Sequence, residues 1–139
     1  MRKIVLISCA SKKLGRRAKA KDLYVSPLFK LNYRYALSLN PDKIFILSAK
    51  YGLVDCEREI DTYDLTLNTM PMSEVKRWAQ ATVKQLKRVC DLEEDYFVFL
   101  AGEKYRRFLV PYVKEEHREI PLAGLKIGKQ LSWLKGRVV

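Results

Sequence analysis

Three short polar stretches carry the residue types that do chemistry, and each follows an apolar run: Ser8-Cys9-Ala10-Ser11-Lys12-Lys13, Ser48-Ala49-Lys50-Tyr51-Gly52 and Gly102-Glu103-Lys104-Tyr105. The first offers two hydroxyls, a thiol and two ammonium groups. Small residues there let backbone N–H groups approach an anion, and the lysines add point charge. It is not a P-loop, because no GxxxxGK[ST] is present. Cys9 beside Lys12 or Lys13 has the neighbours of an activated thiolate. With no histidine nearby as a base, a packed or merely lining thiol is the competing reading and the favoured one. In the second stretch Gly52 suits a sharp turn through its tolerance of positive φ. Tyr51 there can stack on a base and Lys50 can meet a phosphate. The plainer alternative is a turn whose tyrosine covers the edge of the core.

Residues 55–66 carry Asp55, Glu57, Glu59, Asp61 and Asp64 against Arg58 alone. Asp61 and Asp64, with Tyr63 between them, have the chemistry of a general base and of a charge that stabilises a cationic transition state. Surface ion pairs with the basic loop are the ordinary alternative. His117 lies in a charged stretch and reads as a solvated surface residue. Cys9, Cys56 and Cys90 are far apart with no CxxC, and His117 has no partner at ligand spacing. Neither a disulfide framework nor a structural zinc site is expected, and the compartment is expected to be reducing.

The net charge of +11 is unevenly spread. Residues 1–34 hold ten lysines and arginines against one acid, Asp22, and residues 126–139 hold four bases and no acid. A basic field around a local acidic island suits a nucleic-acid or phosphate partner; lysines that merely solvate the surface are the alternative. Hydrophobic residues at 48% and charged residues at 31% describe a globular chain. No stretch approaches the roughly 18–20 apolar residues that cross a bilayer. The opening MRKIVLISCASKK has basic residues before an apolar run, but Ile4 to Ile7 is too short for a signal peptide, so a cytoplasmic protein is expected.

Elements must hold these residues in place. Lys3–Ser8, Lys43–Ser48 and Tyr96–Ala101 read as buried strands, with Arg118–Pro121 a short fourth. Ser26-Pro27 starts a helix whose apolar positions are Leu28, Phe29, Tyr33, Ala36 and Leu37, and Asn40-Pro41 stops it. Ser73 is placed as the cap of a second helix running to about Cys90, with Val75, Trp78, Ala79, Thr82, Val83, Leu86 and Val89 on one face. Phe29, Tyr33 and Trp78 are assigned to the core. Short helices are expected over Glu103–Val110 and Gly128–Leu134, while residues 9–25 and 49–71 read as irregular. Strands alternating with helices predict an α/β chain of one domain over residues 1–139, with a mainly parallel sheet of four or slightly more strands and helices on both faces. Ligands then bind at the carboxyl ends of the strands. The three polar stretches are expected to converge on one pocket with Ser8, Lys50 and Gly102 at its rim.

The succession SCASKK, DLYVSPLFK, ILSAKYGLVD, IDTYDLTL and PLAGLKIGKQLSWLK resembles the YaaA-like family of domains of unknown function (DUF6884), from Ser8 to Lys135. Ser8-Cys9 with a lysine, followed by Leu23-Tyr24 and Ser26, is also similar to the substrate-site signature of the archaeosine synthase core domain, which itself resembles the uracil-DNA glycosylase fold. The resemblance implies a three-layer α/β/α sandwich, a base-sized pocket and DNA binding. The reading that follows is a glycosylase-like enzyme acting on a modified or unmodified base flipped out of the stack. Breaking an N-glycosidic bond makes an oxocarbenium-like cation, so Asp64 or Asp61 would supply a carboxylate below the sugar. Ser8, Cys9 and Ser48 would line the base pocket, Tyr51 or Tyr24 would stack, and Lys12, Lys13 and Lys50 would hold phosphates. Ser11, Ser26, Gly52, Tyr63 and Gly102 complete the expected binding set. No metal or organic cofactor is expected. The alternatives are a non-catalytic DNA-binding stress protein of YaaA type and an enzyme acting on nucleotides or nucleosides.

Overall fold

The computed structural model describes residues 1–138. In chain order its elements are β1 (Lys3–Ser8), β2 (Ala18–Lys19), α1 (Ala20–Leu23), α2 (Pro27–Ser38), β3 (Lys43–Ser48), β4 (Gly52–Asp55), β5 (Glu59–Ile60), α3 (Met72–Val89), β6 (Tyr96–Leu100), α4 (Glu103–Arg106), β7 (Arg118–Glu119) and α5 (Ile127–Lys135). Five strands form one sheet in the order β4-β3-β1-β6-β7. β1 lies at the centre, parallel to β3 (Val5 opposite Ile44) and to β6 (Val5 opposite Val98). β7 is parallel to β6, and β4 is antiparallel to β3.

The central strand is apolar on both faces because both are covered. Ile4 and Leu6 pack in one cluster with Val75, Ala79, Val83 and Leu86 of α3. Val5 and Ile7 pack in the other with Phe29 and Ala36 of α2. Full burial of each such aliphatic side chain stabilises by about 1.5–3 kcal/mol. No helix among the described residues is long and apolar enough to cross a membrane.

The chain departs from the sequence expectation where elements are shortest. β4 adds a fifth strand from the stretch expected to be irregular, and β2 pairs with β5 in a separate two-stranded ribbon. Two to four residues hold too little of a period to be read as strands. The turn into β4 explains Gly52, which sits at φ +75°; a Cβ there would run into the side-chain amide of Gln85. α3 begins before Ser73, with Pro71 at its cap position and no side-chain cap; the Pro71 carbonyl accepts from Glu74 N at 3.0 Å. On α2, Leu37 is 50% exposed although its place was expected to be apolar and buried, and Asn32 takes the buried position. Leu37 lies about 80° round the helix from Phe29, whereas Asn32 and Ala36 fall close to the face that meets the sheet.

The strand order positions the site. β1 is followed by α2 and β3 on one side, while β6 is followed by β7 on the other. Neighbouring parallel strands whose outgoing chains diverge leave a crevice between their carboxyl ends.

Candidate functional site

At that crevice, between the ends of β1 and β6, lies a cavity of about 560 Å³. Its size falls in the range that holds a small organic ligand. Residues 8–12 form one wall and the start of α2 another, with Gly102, Tyr105 and Arg106 on a third side and Gln130 and Leu131 of α5 closing it. The lining contains five hydroxyls (Ser8, Ser11, Ser26, Thr66, Tyr105), three amides (Asn32, Asn68, Gln130) and two cations (Lys12, Arg106), and no aspartate or glutamate. A shallower depression of about 680 Å³ sits at the opposite ends of the strands. There Arg2 is already engaged, to Asp95 at 3.0 Å and to the Val89 carbonyl at 3.0 Å.

The cavity walls are fixed by bonds between elements. Gly102 N donates to Ser8 Oγ at 3.2 Å, tying the end of β6 to that of β1. Cys9 N donates to the Leu47 carbonyl at 2.9 Å, and its thiol donates to the Tyr105 hydroxyl at 3.4 Å. The same hydroxyl accepts from Leu67 N at 3.3 Å, which draws Thr66 to the cavity. Val25 N donates to the Lys12 carbonyl at 2.9 Å, so the basic loop is stitched to the chain entering α2. Ser26 is the helix cap: its Oγ accepts from Phe29 N at 3.1 Å. Arg106 donates to the Ala101 carbonyl at 2.8 Å and Gln130 to the Leu125 carbonyl at 2.8 Å.

One lining residue is unlike the rest. Asn32 is 4% exposed, and its Oδ1 is enclosed with no hydrogen-bond partner among the described residues. An unpaired buried polar group of this kind costs about 1–3 kcal/mol. Its neighbours on the same helix face, Phe29 and Ala36, are buried, so the helix cannot roll to bring the amide out.

A second polar cluster occupies the adjoining end of β3. The Ser48 hydroxyl donates to Tyr63 Oη at 2.8 Å and accepts from the N–H groups of Lys50 at 3.2 Å and Tyr51 at 3.1 Å. Tyr63 and Tyr24 share a 2.6 Å hydroxyl bond. Trp78, expected as plain core, donates its indole N–H to the Ser48 carbonyl at 2.8 Å. The Lys13 ammonium lies 4.4 Å from the Tyr63 ring centre, and Lys50 and Arg58 each lie 5.3 Å from that of Tyr51. Burial pushes Tyr24 up to about 12 and raises Tyr63 and Tyr105 as well. These phenols are therefore neutral donors and acceptors at pH 7, not phenolate bases.

The candidates thus divide. Ser8, Cys9, Ser11, Lys12, Ser26 and Gly102 line the cavity. Lys13, Tyr24, Ser48, Lys50, Tyr51, Gly52 and Tyr63 belong to the neighbouring cluster and its turn, and Lys50 stands outside the cavity lining rather than at its rim. The two loops are adjacent because β1 and β3 pair, but the Ser48–Tyr63–Tyr24 hydroxyl chain takes up the β3 end. Asp61 and Asp64 are both exposed and neither lines the cavity. The β2–β5 ribbon lays the acidic stretch on the basic loop: Asp61 pairs with Arg17 at 3.1 Å, and Glu57 with Lys19 at 3.0 Å and Lys21 at 2.9 Å. Asp64 makes no hydrogen bond or ion pair among the described residues, although the next two residues, Leu65 and Thr66, reach the cavity.

Sequence reasoning passed over Asn32, Thr66, Arg106 and Gln130. Asn32 left a usable signal, a polar residue three positions after Phe29 and four before Ala36 on a face that must be buried.

Fold and cavity together define an α/β protein with a mostly parallel sheet and, at its strand-order reversal, a polar pocket with no aspartate or glutamate among its described lining residues. The chain belongs to the family of unknown function DUF6884, whose model matches residues 4–136. No curated protein and no solved structure matches it.

Proposed function

We propose that this chain is a nucleic-acid-directed protein that takes a single displaced base into the cavity between β1 and β6. One observation carries the reading: a cavity of about 560 Å³ with hydroxyls, amides and two cations but no carboxylate, in a chain of net charge +11. A polyanion is attracted to such a chain at long range, and a base needs hydrogen-bonding groups and apolar walls rather than charge. Leu28, Leu65, Leu100, Leu122, Ile127 and Leu131 supply most of the apolar lining. DNA is the proposed polymer. A three-layer α/β/α arrangement of glycosylase type, kinship with the YaaA-like and archaeosine synthase domains, and a reducing cytoplasmic setting belong to the same proposal; three free cysteines support the last.

Within this reading the reaction is N-glycosidic hydrolysis with Asp64 as the carboxylate, for Asp64 has no partner among the described residues and adjoins cavity-lining residues in the chain. Binding without hydrolysis is the second reading, and the absence of any lining carboxylate favours it. Single-turnover assays on duplexes carrying varied modified bases separate them. Hydrolysis requires that Asp64→Asn keep DNA affinity and lose roughly 100-fold or more in rate. Absence of base release from every duplex, with DNA binding intact, leaves the non-catalytic protein.

A further inference from the structure

We infer that Asn32 is the residue that reads the base, its side-chain amide pairing with an edge of a nucleobase that carries a hydrogen-bond donor and an acceptor side by side. The inference deepens the proposed function and rests on it. Asn32 is 4% exposed and lines the cavity, and its side chain makes no hydrogen bond among the described residues. Every other deeply buried polar side chain in the described residues has a partner: Ser48 in Tyr63, Thr82 in the Trp78 carbonyl and Asp95 in Arg2. The orphan is therefore local to the cavity and not a general looseness of packing.

The chemistry of the orphan selects the ligand. A primary amide offers an acceptor oxygen beside donor hydrogens. A nucleobase offers the complementary pair, a ring N–H next to a carbonyl or a ring nitrogen next to an exocyclic amine, and asparagine takes such edges bidentately. A sugar phosphate or inorganic phosphate has no such edge. It would engage Lys12 or Arg106 nearer the surface and leave Asn32 unpaired. With Lys12 and Arg106 and no aspartate or glutamate among the described lining residues, the cavity disfavours a cationic ligand.

Calorimetric titration of the wild-type protein and of Asn32→Leu with adenosine, guanosine, cytidine and thymidine, and with ribose 5-phosphate as the edge-free control, tests the assignment. Leucine keeps the side chain's approximate volume and removes the unpaired amide, so the variant folds; Asn32→Ala repeats the test with a smaller side chain. At least one nucleoside is expected to bind the wild type, with little dependence on salt, and to bind both variants roughly 10- to 100-fold more weakly. Salt-dependent DNA affinity is expected to persist in both. Wild-type nucleoside affinity in Asn32→Leu overturns the assignment, as does ribose 5-phosphate binding as well as any nucleoside. Wild-type protein that binds DNA but no nucleoside overturns it too, leaving the DNA reading in place. Loss of nucleoside binding in the variants of a protein that never binds DNA keeps the role of Asn32 and overturns the proposed function instead.

Discussion

Two polar clusters lie side by side at the carboxyl ends of the sheet and are built in opposite ways. At the end of β3, Ser48 is fully buried and its hydroxyl makes three hydrogen bonds, to Tyr63 and to two backbone N–H groups. At the crevice between β1 and β6, Asn32 is almost as buried and makes none. A closed hydroxyl network is architecture: it holds the turn after β3 and orients Tyr63. An unpaired amide in the wall of a cavity is a group left for a partner from outside. Richness in polar residues does not distinguish the two regions, whereas hydrogen-bond satisfaction does.

The largest effect expected from breaking the closed cluster comes from Ser48→Val. It leaves the backbone N–H groups of Lys50 and Tyr51 without a partner and the Tyr63 hydroxyl with Tyr24 alone, so stability should fall by about 3 kcal/mol, read as a lower Tm with nucleoside binding reduced far less than by Asn32→Leu. A Tm near that of the wild type would mean that the network is not structural.

Alkaline pH probes the same cluster without mutation. Tyr24 titrates near 10 in the unfolded chain and is pushed up to about 12 by burial; Tyr63 moves the same way, as does Tyr105 in the wall of the neighbouring cavity. Below pH 10 both states hold the protons and the folded state keeps its full advantage. Above it the unfolded chain ionises first, and stability falls by about 1.4 kcal/mol per pH unit for each such phenol until its folded pKa is passed. Cys56, pushed up to about 12 by burial, adds to the loss in the same direction from about pH 9 upward. Denaturant midpoints measured from pH 8 to 11.5 should therefore decline with an increasing slope, and Tyr24→Phe should flatten the decline. A midpoint independent of pH would contradict the buried, neutral state of these phenols.

Relief of the open site goes the other way. Asn32→Leu removes a buried unpaired amide and should raise stability by about 1 kcal/mol, seen as a higher Tm in the absence of ligand. The smallest effect belongs to the surface: Asp61→Asn removes one exposed ion pair with Arg17 and should change stability by at most about 0.5 kcal/mol.

The parts legible in the sequence were those with long, uniform patterns. The apolar runs of β1, β3 and β6 gave the parallel core, and Ser26-Pro27 marked the start of α2. The short strands β2, β4 and β5 were not legible, since their pairing is set by the turn at Gly52 and by contact between two loops distant in sequence. For the candidate site, placing ligands at strand ends led to Ser8, Cys9, Ser11, Lys12 and Gly102, all of which line the cavity. It could not tell which loop stays open, because Tyr63 reaches the end of β3 from fifteen residues further along the chain. Asn32 escaped because a helical pattern sorts residues by polarity, and a polar residue on the buried face looks like a break in the stripe instead of a part of the site.

The central claim, that a base leaves the stack and enters the cavity, is most directly tested by titrating the protein into a duplex that carries a fluorescent purine analogue whose emission is quenched by stacking. The account predicts a rise in emission that saturates together with binding and is much smaller with Asn32→Leu at equal occupancy of the duplex. Tight binding with emission unchanged would contradict it.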